Sequence, residues 1–336
     1  MRGTTFGRWV LRGLAIGSAV LAPVGYVDLA GPLPPIQAGL PLAGVGALAV
    51  GGILTVRRDW WPAAMSLVAA ALMTGPVLVP GGRPAPTAAD DVDATPIRLL
   101  SLNVQFGRAH PEAVVALIEE RRSDVVVLTE MTPDGWRRLE AAGLRRHFPH
   151  ATGRTDTGAS GTVILSRRPF TCLDTVEGNP CGQVVTRRPD APAYRLGQND
   201  ATFDLPSVRL EDGTVIRGIH ARPPSLTAND RWRREQHDLA TWVRDQSPQT
   251  PLILAGDFNA SLSHPAFRAL ADGLVHAPRT GLPWPRTWPE GARLPALIQI
   301  DHILTRGFAV HAEGVDVVPG TDHAAVWADL RRAQPG

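Results

Sequence analysis

The stretch IRLLSLNVQFG, residues 97–107, decides the fold of the larger part of this 336-residue chain. It is apolar up to Asn103 apart from Arg98 and Ser101, and such a run is typical of a strand buried on both faces. Comparable runs occupy residues 124–129, 161–166, 201–210, 214–220, 251–255, 299–305 and 324–329. Helical patterns occur at residues 111–122, 133–146, 228–245 and 265–271. Strands that alternate with helices predict an α/β domain built on packed sheets.

Three apolar stretches fill the N-terminal quarter of the chain, at residues 9–27, 36–56 and 60–79. Each is close to the roughly 20 residues that a helix needs to cross a bilayer. Arg2, Arg8 and Arg12 would also fit a signal peptide followed by a soluble protein. However, two further apolar stretches follow at once, and a secreted protein gives no reason for them. We therefore expect a membrane domain over residues 1–80 with three transmembrane helices.

The arginines predict how these helices are oriented. Arg2 and Arg8 lie at the N-terminus and Arg57 and Arg58 join the last two helices, whereas residues 28–35 contain no basic residue. The positive-inside rule places the arginine-bearing ends in the cytoplasm. With three spans, the chain after residue 80 then lies outside the cytoplasm, in a multi-pass protein of the cell membrane. Residues 81–95, rich in Pro, Ala, Gly and Asp, are expected to form a flexible linker.

The chain has only two cysteines, Cys172 and Cys181, in a segment that contains Pro and Gly. Neither has a metal-type partner near it in sequence. In an oxidising compartment they could form a disulfide that closes a short loop. Two separate buried thiols explain the same positions equally well, because the sequence carries no geometry.

Polar side chains recur at the predicted strand ends, and we expect each at a C-terminal end: Asn103, Glu130, His220, Asp257, Asn259, Asp301, Asp322 and His323. In α/β folds such ends converge on one crevice. Carboxylate and amide oxygens suit Mg²⁺, an Asp and a His can activate a water, and Asn and His can donate to phosphate oxygens. The sequence contains nothing that resembles a P-loop, a Gly-x-Ser-x-Gly elbow or a His-Glu-x-x-His helix.

The order of these motifs resembles the endonuclease/exonuclease/phosphatase superfamily. The chain shows LNVQFG, LTEM, GTVILSRRP, a strand that ends in His, GDFNA, IDHIL and TDHAAV in that order. The resemblance covers a catalytic domain at residues 96–332. It implies a four-layer α/β sandwich, with two packed mixed β-sheets flanked by helices, which here would follow three N-terminal transmembrane helices.

The resemblance also implies a metal site. Glu130 resembles the principal metal ligand, with Asn103 beside it, and Asp322 matches an acidic residue that contacts a metal in some members. The implied cofactor is Mg²⁺, with Mn²⁺ as the alternative ion. One position departs from the family pattern, because many nuclease members have Asp where this chain has Gln105.

The remaining residues would carry out hydrolysis. Asp257 resembles the group that aligns and deprotonates the attacking water, and Asn259 and His220 resemble donors to the phosphoryl oxygens. His323 resembles the catalytic histidine, oriented by Asp301. The implied reaction is in-line attack of water on a phosphodiester or phosphoanhydride.

The substrate is the least determined part of the prediction. Trp288, in the segment LPWPRTWP, stands where this family has a loop that lines the substrate cleft. Three spans and an external domain resemble membrane proteins linked to resistance to glycopeptides such as teicoplanin and vancomycin, which are thought to act on isoprenoid-lipid diphosphates. Two alternatives stay open: an extracytoplasmic endonuclease or exonuclease, and a catalytically inactive binding module. The net charge of +2 gives no general case for binding nucleic acid.

Overall fold

The computed structural model of the protein describes residues 2–29, 31–79, 96–173, 181–187, 203–225, 229–291 and 295–333. Its contacts divide the chain into two units. The helical unit comprises Met1–Gly81, Pro224–His237 and Ala260–Leu270, and the sheet unit comprises Gly82–Pro223, Asp238–Asn259 and Ala271–Gly336. The predicted linker at 81–95 lies outside the described residues.

The helical unit begins with α1 (Arg2–Leu21), a 3-10 turn (Ala22–Tyr26), α2 (Leu33–Val56) and α3 (Trp60–Leu78). Three segments are long and apolar enough to cross a membrane, which confirms the prediction: Phe6–Tyr26, Leu33–Val56 and Trp60–Leu78. Helices α2 and α3 approach closely at Gly44 and Gly51, where an added Cβ would meet Thr74 and Leu67 at 2.6 and 2.7 Å. Small residues at such contacts are typical of membrane helices.

The sheet unit contains the strands β1 (Ile97–Asn103), β2 (Val125–Thr129), β3 (His150–Thr155), β4 (Thr162–Ser166), β5 (Phe170–Cys172), β6 (Val184–Thr186), β7 (Ser207–Leu210), β8 (Val215–His220), β9 (Leu252–Asp257), β10 (Val275–Ala277), β11 (Asp301–Arg306), β12 (Phe308–Val317) and β13 (Ala324–Arg332). One sheet has the order β12-β13-β1-β2-β4-β3-β6 and the other the order β10-β11-β9-β8-β7-β5. Both are mixed, because β1 and β2, β3 and β6, and β8 and β9 are parallel while the other pairs are antiparallel.

The sheets pack face to face, and helices cover their outer faces. Side chains of both sheets, such as Leu99 and Ile253, share one buried core. A second core lies under α4 (Pro111–Glu120), α5 (Pro133–Ala141) and α6 (Leu144–His147). On the six-stranded sheet, Arg217 stacks on Trp242, which lies in the second half of α7 (Asp230–Asp245); α8 (Pro265–Ala271) follows later in the chain. This is the predicted sandwich of two mixed sheets flanked by helices.

Local structure departs from the sequence prediction at one helix and at five strands, and it decides the question that the sequence left open about the two cysteines. The helix predicted at 133–146 is split, because Gly143 adopts a left-handed conformation with φ 99° that ends α5 and precedes α6. Five strands were not predicted: β3, β5, β6, β10 and β12. Cys172 and Cys181 form a disulfide with their Cα atoms 5.6 Å apart, which decides between the two alternatives left by the sequence.

Candidate active site

Four of the predicted site residues lie at the C-terminal ends of neighbouring parallel strands. In the seven-stranded sheet, Asn103 of β1 is paired with the last residue of β2, and Glu130 follows directly. In the six-stranded sheet, His220 and Asp257, the last residues of β8 and β9, are paired with each other. Because parallel neighbouring strands have their C-terminal ends side by side, each sheet contributes two of these side chains to the candidate site.

Asp301, Asp322 and His323 reach this place differently from what the sequence predicted. Asp301 is the first residue of β11, and it is paired with Asp257 because β11 runs antiparallel to β9. Asp322 and His323 directly precede β13, which runs antiparallel to β1. The expected position at C-terminal strand ends is therefore wrong for these three residues, since the start of an antiparallel strand lies beside the end of its neighbour.

One side-chain amide joins carboxylates from the two sheets. Nδ2 of Asn103 donates to Oε1 of Glu130 and to Oδ2 of Asp257, each at 3.0 Å. Oδ1 of Asn103 accepts a hydrogen bond from the backbone of Gln105 at 2.9 Å, and Oε2 of Glu130 accepts one from the backbone of Phe106 at 3.0 Å. The amide nitrogen of Asn103, and not its oxygen, therefore faces the carboxylates in this arrangement.

His323 and Asp301 form a buried pair. Nδ1 of His323 lies 2.9 Å from Oδ2 of Asp301. Nε2 of the same ring lies 3.9 Å from Oδ2 of Asp257 and 3.9 Å from Oδ1 of Asp322. A carboxylate that holds Nδ1 fixes the ring and presents Nε2 to the site. This geometry fits the orienting role expected of Asp301, although the catalytic role itself stays a prediction.

His220 and Asn259 border the same carboxylates. Nε2 of His220 lies 3.8 Å from both Oε1 of Glu130 and Oδ2 of Asp257. The backbone N–H of Asn259 donates to Oδ1 of Asp257 at 2.8 Å, and its amide donates to the Ala221 carbonyl at 2.8 Å and to Oδ2 of Asp257 at 3.2 Å. Asn259 thus holds Asp257 in place, and its expected bond to a phosphoryl oxygen would have to replace one of these contacts.

Burial makes the site carboxylates more basic than free ones. Burial, followed by the negative charge of Asp301, raises the pKa of Asp257 above its usual value. Burial also raises the pKa of Glu130, against the hydrogen bond from Asn103. Both shifts have the same physical cause, which is that a charged carboxylate loses its water on burial.

The two histidines shift in opposite directions. Burial alone would lower the pKa of His323, but the carboxylates of Asp301, Asp257 and Asp322 outweigh it and raise this pKa to about 10. Burial, with a contribution from the charge of His323, lowers the pKa of His220 to about 3. Near neutral pH, His323 is therefore a cation and His220 is a neutral imidazole.

Comparison with known proteins decides the family. The sequence profile of the Endonuclease/Exonuclease/phosphatase family matches residues 100–323, which is well over half of the chain. The chain belongs to this family. The match begins within β1 and ends at His323, so the endonuclease/exonuclease/phosphatase domain contains every site residue described above. No curated protein matches the chain.

The chain is also similar to solved structures of low sequence identity. An endonuclease/exonuclease/phosphatase from Bacteroides vulgatus is 18% identical, with a TM-score of 0.50 over 71% of this chain and 99% of that one. A conserved protein of unknown function from Enterococcus faecalis is 18% identical, with a TM-score of 0.49 over 70% and 100%. An endonuclease/exonuclease/phosphatase family protein from Bacteroides thetaiotaomicron is 14% identical, with a TM-score of 0.49 over 71% and 95%.

Members of this family are generally hydrolases of phosphate esters and typically depend on a divalent metal, and this site fits such an ion. Oδ1 of Asp301 and Oδ1 of Asp322 are buried and have no hydrogen-bond partner within the described part of the chain. A buried carboxylate oxygen without a donor is costly, and a cation would stabilise it. Asp257, Asp301 and His323 each offer a ligand atom, and these atoms lie within 4.8 Å of one another.

The group formed by Asp257, Asp301 and His323 differs from the set of ligands predicted from the sequence. The predicted ligands are Glu130, Asn103 and Asp322. In the first group, Oδ2 of Asp301 and Nδ1 of His323 are bonded to each other. In the predicted set, the amide oxygen of Asn103 accepts from the Gln105 backbone. We favour the predicted set, because Mg²⁺ prefers oxygen ligands, and an imidazole suits it less well. The assignment of Glu130, Asn103 and Asp322 as ligands stays a prediction.

Two threonines that were not predicted organise the endonuclease/exonuclease/phosphatase site. Oγ1 of Thr321 donates to the Asn103 carbonyl at 2.7 Å and accepts from the His323 backbone at 3.2 Å. Oγ1 of Thr287 accepts from the backbones of Ile300 and Asp301 at 3.1 and 3.2 Å. Thr321 directly precedes Asp322 and His323, and Thr287 directly precedes Trp288, so both could have been suspected from their position beside predicted site residues.

Two aromatic side chains lie beside the site. The indole N–H of Trp288 donates to Oδ2 of Asp322 at 3.3 Å, and the side chain is 36% exposed. This position is compatible with the predicted substrate contact, which stays a prediction. The ring of Phe203 stacks on His220 with 4.5 Å between centroids and 2° between planes. Phe203 was not predicted, because nothing in its sequence neighbourhood marks it.

Proposed function

We propose that this protein is a membrane-anchored, metal-dependent phosphoesterase whose catalytic domain lies outside the cytoplasm. The observation that carries the proposal is the meeting of Glu130, Asp257 and the Asp301–His323 pair around one buried place, joined by the amide of Asn103. Its reaction is hydrolysis of a phosphodiester or phosphoanhydride by in-line attack of water.

Each site residue has a separate role in this reaction. Asp257 takes the proton of the attacking water, for which a raised pKa suits a carboxylate, while Asn259 and Asn103 hold it in position. His323 is cationic and presents Nε2 to the charge that develops on the phosphoryl group. The neutral ring of His220 can donate a hydrogen bond there as well. A divalent ion held by Glu130, Asn103 and Asp322 would neutralise phosphate charge and polarise the bond that breaks.

The proposed orientation across the membrane rests on the arginine distribution, and contacts within the helical unit extend it to later residues. The arginine distribution places residues 28–35 outside the cytoplasm. Asp28 bonds to Arg233, and the Pro34 carbonyl bonds to His264. Residues that hydrogen-bond each other lie on the same side of a bilayer, so these contacts favour an external position for the chain around residues 233 and 264.

The substrate that we propose is a lipid-linked diphosphate of the isoprenoid type, in cell-envelope metabolism or glycopeptide resistance. The tether keeps the site near lipid headgroups and so raises their effective concentration. The resemblance in architecture to membrane proteins linked to glycopeptide resistance supports the same class. Gln105 and the net charge of +2 speak against a nuclease, and the complete set of polar residues speaks against an inactive binding module.

The test uses the full-length protein in lipid nanodiscs with Mg²⁺. Its substrates are an isoprenoid-lipid diphosphate, a phosphodiester lipid, and single- and double-stranded DNA. We expect hydrolysis of the lipid diphosphate, loss of activity in EDTA, and recovery with Mg²⁺ or Mn²⁺. Turnover of DNA alone would show that the substrate class is wrong, and turnover of none of the four would reject the phosphoesterase proposal.

A further inference from the structure

The connection between α1 and α2, taken here as residues 22–32 with the first turn of α2, contacts two segments that come much later in the chain. Asp28 is at the centre of the first contact. Its carboxylate accepts from Nε of Arg233 at 2.8 Å and lies 2.8 Å from Nε2 of His237, and its carbonyl accepts from Arg233 at 3.0 Å. Burial would raise the pKa of Asp28, but the bonds from Arg233 and His237 outweigh it and lower this pKa.

The second contact involves the segment Ala260–Leu270. Nε2 of His264 donates to the Pro34 carbonyl at 2.9 Å, because Nδ1 of the same ring accepts from the Ser261 backbone at 2.8 Å. The guanidinium of Arg268 donates to the Gly25 carbonyl at 2.7 Å and lies over the Tyr26 ring, 5.4 Å from its centroid. His264 is 1% exposed, so this contact is buried within the helical unit.

Hydrogen bonds with α2 and α3 hold the connection in place. The side chain of Gln37, 2% exposed, donates to the carbonyls of Val24 and Val27 at 2.9 and 2.8 Å. The hydroxyl of Tyr26 donates to the Leu72 carbonyl in α3 at 2.9 Å. Bonds from both α2 and α3 therefore set the shape of the connection, so it presents its acceptors in a defined arrangement.

The two segments held in this way directly continue the strands that carry site residues. Pro224–His237 begins four positions after His220, and Ala260–Leu270 begins immediately after Asn259. The first segment follows β8 and the second follows β9, and both form hydrogen bonds with the connection. Both segments are therefore bonded, within the helical unit, to the chain that joins α1 and α2.

We propose that Asp28, Arg233, His264 and Arg268 are positioning residues that select a bilayer-embedded substrate. This inference rests on the proposed phosphoesterase function. Within the helical unit, the contacts restrain the segments that follow His220 and Asn259 in the chain. A lipid headgroup is itself fixed at the bilayer surface, so its approach depends on this restraint. A water-soluble phosphodiester approaches from any direction and does not depend on it.

The test compares two substrates on full-length protein in nanodiscs: an isoprenoid-lipid diphosphate and the soluble diester bis(p-nitrophenyl) phosphate. Asp28→Arg and Arg233→Asp each break the pair. We expect each to lower kcat/KM for the lipid about 10-fold or more and to change that for the soluble diester less than about twofold. The combined variant Asp28→Arg with Arg233→Asp restores the ion pair and should recover most of the lipid activity.

Arg234→Asp is the matched control, because Arg234 is the exposed neighbour of Arg233 on the same helix. It should leave both activities unchanged. Equal losses on both substrates in Asp28→Arg, or no loss on either, would overturn the positioning role while the proposed function stands. Wild-type protein that is inactive on both substrates would overturn the proposed function and the positioning role together.

Discussion

At the scale of single residues, the backbone at the site is unusual. Four residues at or next to the site that are not glycine have a positive φ: Gln105 (45°), Phe106 (54°), Glu130 (55°) and Asn259 (45°). Asn tolerates this conformation, whereas Glu and Phe rarely adopt it. The turn at Gln105 and Phe106 directs two successive backbone N–H groups at Asn103 and Glu130. Local strain of this kind is typical of sites whose surroundings hold them in one geometry.

The side chains assigned to proton transfer can be tested one by one. We expect Asp257→Asn and His323→Ala each to lower kcat by about 10²- to 10⁴-fold, because each removes a group that acts on the reacting atoms. Asp301→Asn should cost less, since Asp301 acts through His323. It should also lower the pKa of His323, so that activity falls at a lower pH on the alkaline side than in the wild type.

The measurement is kcat against pH on the substrate that the wild type hydrolyses. Asp272→Asn, which changes an exposed carboxylate away from the site, serves as the control. Rates near the wild-type value in Asp257→Asn or His323→Ala would contradict the roles given to these residues.

At the scale of elements, close strand approach shapes the site. Gly256 has a φ of 149°, and a Cβ there would overlap the Ile219 carbonyl of the neighbouring strand. Glycine therefore allows β8 and β9 to run together up to the pair formed by His220 and Asp257. The motif GDFNA contains this glycine, but only the register shows which strand it meets.

The burial of His264 predicts a dependence of stability on pH. Burial lowers the pKa of His264 from its usual 6.5 to about 4, so the folded protein keeps this ring neutral where the unfolded chain protonates it. Because the unfolded state binds the proton first, stability falls as the pH drops from about 6.5 to about 4, by at most about 3 kcal/mol from this group.

Thermal unfolding of full-length protein at pH 7 and pH 4.5 measures this effect. We expect His264→Asn to have a lower Tm than the wild type at pH 7 but to lose less on acidification. His311→Asn, at an exposed position, should behave like the wild type. An equal loss on acidification in His264→Asn and the wild type would show that His264 does not contribute to the acid sensitivity.

At the scale of the whole molecule, the orientation across the membrane decides which phosphates the protein can reach. We expect alkaline phosphatase fused after Gly336 to be active, because three spans carry the C-terminus out of the cytoplasm. A fusion after Arg58, between α2 and α3, is the matched control and should be inactive. Activity of a cytoplasmic reporter, and not of alkaline phosphatase, at Gly336 would reverse the orientation.

The sequence by itself determined the features that depend on neighbouring residues. Apolar length predicted three helices that are long and apolar enough to span a membrane, continuous apolar runs predicted the central strands, and the ordered motifs predicted the family. Short or edge strands such as β6 and β12 could not be predicted, because their residues are only partly buried and carry no clear pattern. The break at Gly143 was missed because the helical pattern on either side hides it.

Only the tertiary structure decided which distant residues meet. The antiparallel course of β11 and β13 places Asp301 and His323 beside Asp257, and the sequence could not show it because strand direction depends on the pairing of segments far apart. The disulfide between Cys172 and Cys181 and the bonds of Asp28 to Arg233 are decided in the same way. A sequence states which chemical groups are present, whereas hydrogen bonds and ion pairs depend on distances that only the packed chain defines.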